Sequence, residues 1–112
     1  MIIQTNVQLN VATVQVIGRI DTTNYNEFEN AMNDLFEKNI RHILLDCSSL
    51  DYISSSGLRV FLTAQKHLLT INGSLRLYAL QPMIQEIFSI SGFQSIFSIF
   101  SDLESAKINL PK

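Results

Sequence analysis

The chain has 112 residues, 46% of them hydrophobic and 16% charged, with a formal net charge of −2. That length fits one domain spanning residues 1–112, able to bury roughly two thirds of its unfolded surface without a metal or disulfide to hold it. The charged fraction, against a usual value of about 25%, excludes a disordered or charge-driven polymer binder, and the slight acidity argues against a nucleic-acid footprint.

Ile3, Thr5, Val7 and Leu9 alternate with Gln4, Asn6, Gln8 and Asn10, which predicts a half-buried strand with one wet face. Asn10 marks a turn. Residues 11–17 form a second strand with Ala12, Val14 and Val16 on one side, so the pair makes an antiparallel hairpin. Gly18 ends the regular pattern. Thr22 or Thr23 is placed to cap a helix whose apolar stripe is Tyr25, Phe28, Met32, Leu35 and Phe36. Asp21, Glu27, Glu29, Asp34 and Glu37 precede Lys38 and give that helix an acidic, solvated outer face.

The run His42-Ile43-Leu44-Leu45 fits a strand covered on both faces, ended by Asp46 and Cys47. Residues 48–57 (SSLDYISSSG) read as a loop leading into a second amphipathic helix with Leu58, Phe61, Leu62, Gln65, Leu68 and Leu69 on its stripe, stopping near Asn72-Gly73. Leu75, Leu77 and Ala79 mark another strand. Pro82 opens a third helix, with Met83, Ile84, Ile87 and Phe88 as its apolar side, and Gly92 stops it. Residues 94–97 suggest a short strand, and Ser101 with Glu104 a capping box for a short last helix. The order ββαβαβα(β)α predicts an α/β fold: a mixed, mostly parallel sheet of four to five strands with an N-terminal hairpin and helices packed on it.

The N-terminus has no basic segment and no long apolar run, so it does not read as a signal peptide. Residues 87–101 are too few and too interrupted to span a bilayer. The single cysteine, Cys47, suits a reducing compartment. Together these predict a cytoplasmic domain without direct membrane insertion. The mean hydropathy of +0.18 is high for such a chain and leaves room for apolar partner surface beside a thick core.

Enzyme signatures are mostly missing. Cys47 has no histidine in a supporting position, so it reads as a core residue. His42 and His67 belong to no metal-spaced cluster and read as surface or packing residues. There is no GxSxG elbow and no glycine-rich phosphate loop. Asp46, at a strand end, could suggest a phospho-aspartate receiver. A receiver, however, needs an acidic pair after its first strand, where this chain has Leu9-Asn10. No catalytic residue, metal or cofactor is expected.

What stands out is Ser54-Ser55-Ser56-Gly57-Leu58, three hydroxyls where a loop enters a helix. One reading is capping alone, with one serine capping and the others solvated. The other begins from the same geometry. A helix N-terminus carries unpaired N–H groups and about half a positive charge, so it can host a phosphate. A serine there can gain nearly two negative charges without unfolding the helix.

Residues 40–68, IRHILLDCSSLDYISSSGLRVFLTAQKHL, resemble the signature region of STAS domains, in particular the bacterial anti-sigma factor antagonists: a buried strand, a loop ending in Asp-Ser-Ser/Thr-Gly-Leu, then a helix. Residues 18–21, GRID, resemble the family's Gly-x-Leu/Ile-Asp element. Residues 77–106 are similar to its final strand, Pro-initiated helix, Gly-Phe/Leu turn and terminal helix. The resemblance covers nearly the whole chain in the right order.

The resemblance implies a STAS-like fold and a non-enzymatic anti-anti-sigma factor. Unphosphorylated, it would bind a GHKL-type anti-sigma serine kinase and release a sigma factor. Phosphorylation would switch it off, and a PP2C-type phosphatase would reset it. The phosphorylated position corresponds to Ser55, with Ser54 and Ser56 as neighbouring candidates. Asp21, Thr22, Ser54, Ser56, Gly57, Leu58 and Arg59 fall on the implied partner surface. Ser54 departs from the pattern, which usually has Asp there; if that Asp helps orient the hydroxyl for the kinase, phosphorylation of this chain would be weaker, shifted to a neighbour or lost. STAS domains also serve as non-phosphorylated scaffolds, for example as small subunits of lipid-transport ATPase complexes, and that is the alternative role.

Overall fold

The alternation in residues 11–17 places Ala12, Val14 and Val16 in the core, each at most 1% exposed, and the sheet is built outward from that strand. A computed structural model describes residues 1–110. Its elements are β1 (Ile2–Gln8), β2 (Val11–Ile20), α1 (Tyr25–Glu37), β3 (His42–Asp46), β4 (Leu50–Ile53), α2 (Ser55–Thr70), β5 (Ser74–Tyr78), α3 (Pro82–Ser91), a 3-10 turn at Phe93–Ser95, β6 (Ser98–Phe100) and α4 (Leu103–Ala106). The sheet has six strands in the order β1-β2-β3-β5-β6, with β4 joined to β2. β1 is antiparallel to β2 and every other pairing is parallel. The mixed, mostly parallel architecture matches the sequence reading, with more strands than the four to five expected.

One face of the sheet carries α1, α2 and α3, whose buried Phe28, Met32, Phe61, Leu68, Ile84 and Phe88 share a core with Val14, Ile43, Leu45 and Leu77. Phe61 sits at its centre, 5.3 Å from Phe28 and 6.2 Å from Phe88, ring centroid to centroid, within the range of favourable aromatic pairing. The opposite face is covered in part by α4, through Ala106 and Leu103 against Leu44 and Tyr78. His42 is buried, its Nδ1 hydrogen-bonded to the Ser74 hydroxyl at 2.8 Å. Burial, then the nearby Arg76 and Arg41, push its pKa down. Among the described residues no helix is long and apolar enough to cross a membrane.

Several expectations shift. β1 is not half-buried: only Ile3 is partly covered, because no helix extends over the edge strand. Gly18 does not end β2. At φ +105° it absorbs an irregularity, and the strand continues to Ile20. The expected loop 48–57 contains β4, which pairs in parallel with that continuation. The cap position of α1 is Asn24 rather than Thr22 or Thr23. Residues 94–97 are not a strand, since Phe93–Ser95 form the 3-10 turn and the strand follows at Ser98–Phe100. Asp102 rather than Ser101 caps α4, accepting from the Ser105 amide at 2.8 Å.

Helix α2 lies close to the β2 and β4 ends because Gly57 faces them. A Cβ at Gly57 would fall 2.7 Å from Ile20 Cγ2 and 2.8 Å from Ile53 Cγ1. Both isoleucines are buried, so neither has free space to move into. Gly57→Ala is expected to lower stability by about 1–3 kcal/mol, the usual cost of overpacking, even though alanine favours helices. Urea unfolding midpoints check this; an unchanged or raised midpoint would mean that the helix shifts freely.

Candidate functional site

The site forms where β2 and β4 end side by side. Ile20 is in register with Ile53, and the Ser54 amide donates to the Ile20 carbonyl at 2.9 Å. Each strand then runs into the loop or cap before its helix, at the carboxyl edge of a parallel pair, where α/β folds place their sites. Asp21 follows directly on one strand and Ser54-Ser55 on the other.

Ser54 is extended, with φ −84° and ψ 172°, and only 8% exposed. Its hydroxyl oxygen accepts from the Gly57 amide at 3.3 Å, and its carbonyl accepts from the Leu58 amide at 2.9 Å. It is therefore the cap residue. Ser55 is the first residue of α2 and is exposed; Ser56 is half-buried. Of three adjacent serines, one is committed to the fold and the next faces solvent at the positive end of a 16-residue helix.

Asp21 is organised by its own loop. Its Oδ1 accepts from the Thr23 hydroxyl at 2.6 Å and the Thr23 amide at 2.9 Å. Those bonds, the hydroxyl first, hold its carboxyl below the usual carboxylate range, and Arg19 adds attraction, so Asp21 is ionised at neutral pH. The Asp21 amide donates to Asn24 Oδ1 at 2.8 Å, while Asn24 Nδ2 donates to the Arg19 carbonyl at 2.9 Å. The loop is thus held by side chains on both sides of Asp21.

Arg19 and Tyr52 join this corner although the sequence did not single them out. They are cross-strand neighbours, with the Arg19 guanidinium 4.5 Å from the Tyr52 ring centre and its Nε 3.6 Å from Asp21 Oδ2. Their pairing is legible only once residues 50–53 are read as a strand. Thr22 and Arg59 are exposed and reachable, whereas Gly57 and Leu58 are buried and hold the helix start in place.

The other reactive groups lie elsewhere. Cys47 is 1% exposed, with its thiol 3.7 Å from the Leu45 carbonyl. Burial, then the charge of Asp46, push that thiol far above its ordinary pKa, the opposite of a nucleophile's environment. Among the described residues no group of three or more His, Cys, Asp or Glu is placed to hold a metal.

The STAS domain model matches residues 3–106 of this chain. The chain belongs to the STAS domain family. It is 40% identical over 89 residues to a Bordetella bronchiseptica protein named as an anti-sigma factor antagonist, BtrV, a match covering 80% of this chain and 77% of that one. Its fold is similar to that of a Thermotoga maritima protein described as an anti-sigma factor antagonist, with a TM-score of 0.87 at 18% identity over 93% of this chain and 90% of the other. It is also similar to the Bacillus cell-fate determinant SpoIIAA in its phosphorylated form, with a TM-score of 0.73 at 18% identity over 94% and 96%. At those identities the structural likeness speaks for the STAS fold alone.

Two expectations follow from the geometry. Ser54→Ala removes an engaged cap and should lower stability by about 1 kcal/mol, measured by urea unfolding; no change would show that the hydroxyl bond contributes nothing. Cys47 should react with a thiol reagent in the native protein far more slowly than after denaturation, and rapid native labelling would reopen the case for a thiol enzyme.

Proposed function

We propose that this STAS domain is an anti-sigma factor antagonist switched by phosphorylation of Ser55. The observation that carries the reading is the division of labour at the start of α2. Ser54 is buried and engaged in the cap, whereas Ser55 beside it is exposed and outside the cap. A phosphate at Ser55 meets the positive helix end without displacing a fold contact. The relative named as an anti-sigma factor antagonist supports the same role.

On this reading the unmodified corner of Asp21, Thr22, Ser55, Ser56 and Arg59 docks on a GHKL-type anti-sigma serine kinase in the cytoplasm, freeing a sigma factor. The kinase transfers the γ-phosphoryl group of ATP to the Ser55 hydroxyl, whose proton leaves. A PP2C-type phosphatase hydrolyses the ester. The chain is a substrate and contributes no catalytic residue. Ionised Asp21 lies at the same corner, so a phosphate adds like charge to like charge. Desolvating it without a cation costs several kcal/mol, while about 1.4 kcal/mol already changes affinity tenfold. Ser54 in place of the family's usual Asp keeps a cap oxygen and drops a negative charge. It therefore weakens the repulsion that a phosphate on Ser55 would meet.

The test is binding of the cognate kinase to wild type, Ser55→Ala and Ser55→Asp. Alanine should bind as wild type does, and aspartate should lose at least about tenfold. Equal binding by all three would discard the switch, and phosphate mapped to Ser56 would move the site. Recovery with a transporter ATPase and permease, with no phosphate under any condition, would favour the scaffold role instead.

A further inference from the structure

The outer edge of the sheet is an open pairing surface. β1 runs seven residues from Ile2 to Gln8 and, among the described residues, pairs only through its inner side, with β2. Half of its backbone groups therefore point away from the sheet. Native edges are ordinarily blunted by charge, proline, bulges, shortness or an overlying helix. β1 has none of these. Its sequence, IIQTNVQ, has no charge and no proline. Its register with β2 is unbroken from Ile2 opposite Ile17 to Gln8 opposite Val11. Among the described residues no helix covers it: Ile2 is 57% and Val7 42% exposed. The opposite edge, β6, has only three residues.

We propose that β1 pairs antiparallel with β1 of a second copy of this chain, making one sheet continuous across two molecules. Two features select a second copy over a foreign peptide. The first is neutrality. The first charged side chain in the sequence is Arg19, so β1 itself has no charge along its length to recognise a charged segment or to repel a second copy; the nearest charges, Asp46 and Lys107, come from other elements and flank its polar side. The second is symmetry about Thr5. Ile3 and Val7 stand opposite the core residues Val16 and Ala12 and so share the helix-bearing face. With Thr5 on a two-fold axis, Ile3 meets the partner's Val7 and Val7 meets the partner's Ile3, covering apolar surface that is open in one copy. On the other face Gln4 meets the partner's Asn6, a pair of amides able to hydrogen-bond across strands. This is an isologous contact of the kind two-fold dimers use. It leaves the Ser55 corner outside the paired strip, because β1 ends at Ile17 of β2 while the corner lies beyond Gly18.

An edge contact of this length buries less than the roughly 1,200 Å² of a stable interface, so the dimer is concentration-dependent. Sedimentation of the intact chain from about 10 μM to about 1 mM, the range of weak association, should show the mass rising from one copy toward two. Val7→Lys should keep the monomer's circular dichroism and abolish that rise. Independently, Thr5→Cys places two thiols across the axis at a spacing a disulfide can bridge, and native Cys47 is buried and contributes little background. Under mild oxidation Thr5→Cys should cross-link far faster than Ser89→Cys on exposed α3. A monomer throughout, a dimer that survives Val7→Lys, or equal cross-linking at both positions would overturn the proposal.

Discussion

The structure depends on β2 outlasting β3. β3 pairs with β2 from Val11 to Gln15, and β4 takes up the pairing at Gly18. The Ile20 carbonyl, at the end of this second stretch, receives the Ser54 amide. Ser54 is thereby fixed in the extended conformation a helix cap requires, and the direction of α2 follows. The irregularity at Gly18 allows one strand to serve two successive partners.

From that joint the site is a matter of what each residue has left to offer. Ser54 uses its amide, carbonyl and hydroxyl on the fold. Gly57 gives up a side chain so that the helix can sit against Ile20 and Ile53. Ser55, between them, is held in place by its neighbours and keeps its own hydroxyl in solvent. Asp21 is arranged the same way on the adjacent strand: Thr23 and Asn24 fix the loop, and the carboxylate stays partly exposed.

Much of this was legible in the sequence. Val14 and Val16, Phe28 and Met32, Phe61 and Leu68 are spaced as their buried faces demand, and Pro82 and Gly92 punctuate α3 where they stand. β4 was hidden because its four residues lie between serine-rich turns, too short for a period-2 signal to emerge. With β4 hidden, the Arg19–Tyr52 contact was hidden too. The exposure of β1 was hidden for a different reason. Alternation reports which residues share a face, but whether a helix lies above that face is decided by the layout of other elements. The three serines are equally good caps by type, and it is the bonds to Ile20, Gly57 and Leu58, with burial, that separate Ser54 from Ser55. The role proposed for Ser55 rests on the family resemblance, because no spacing rule distinguishes a modified serine from a solvated one.

The clearance at Gly57 also bears on time. With the Ile20 Cγ2 methyl and the Ile53 Cγ1 methylene within 2.8 Å of where a Cβ would sit, α2 is packed closely against both strand ends at its first turn. On the proposed switch, the corner would keep its shape while its charge changes. If Ser55 is modified as proposed, its interconversion would then be limited by the chemistry that adds or removes the charge rather than by a movement of the helix.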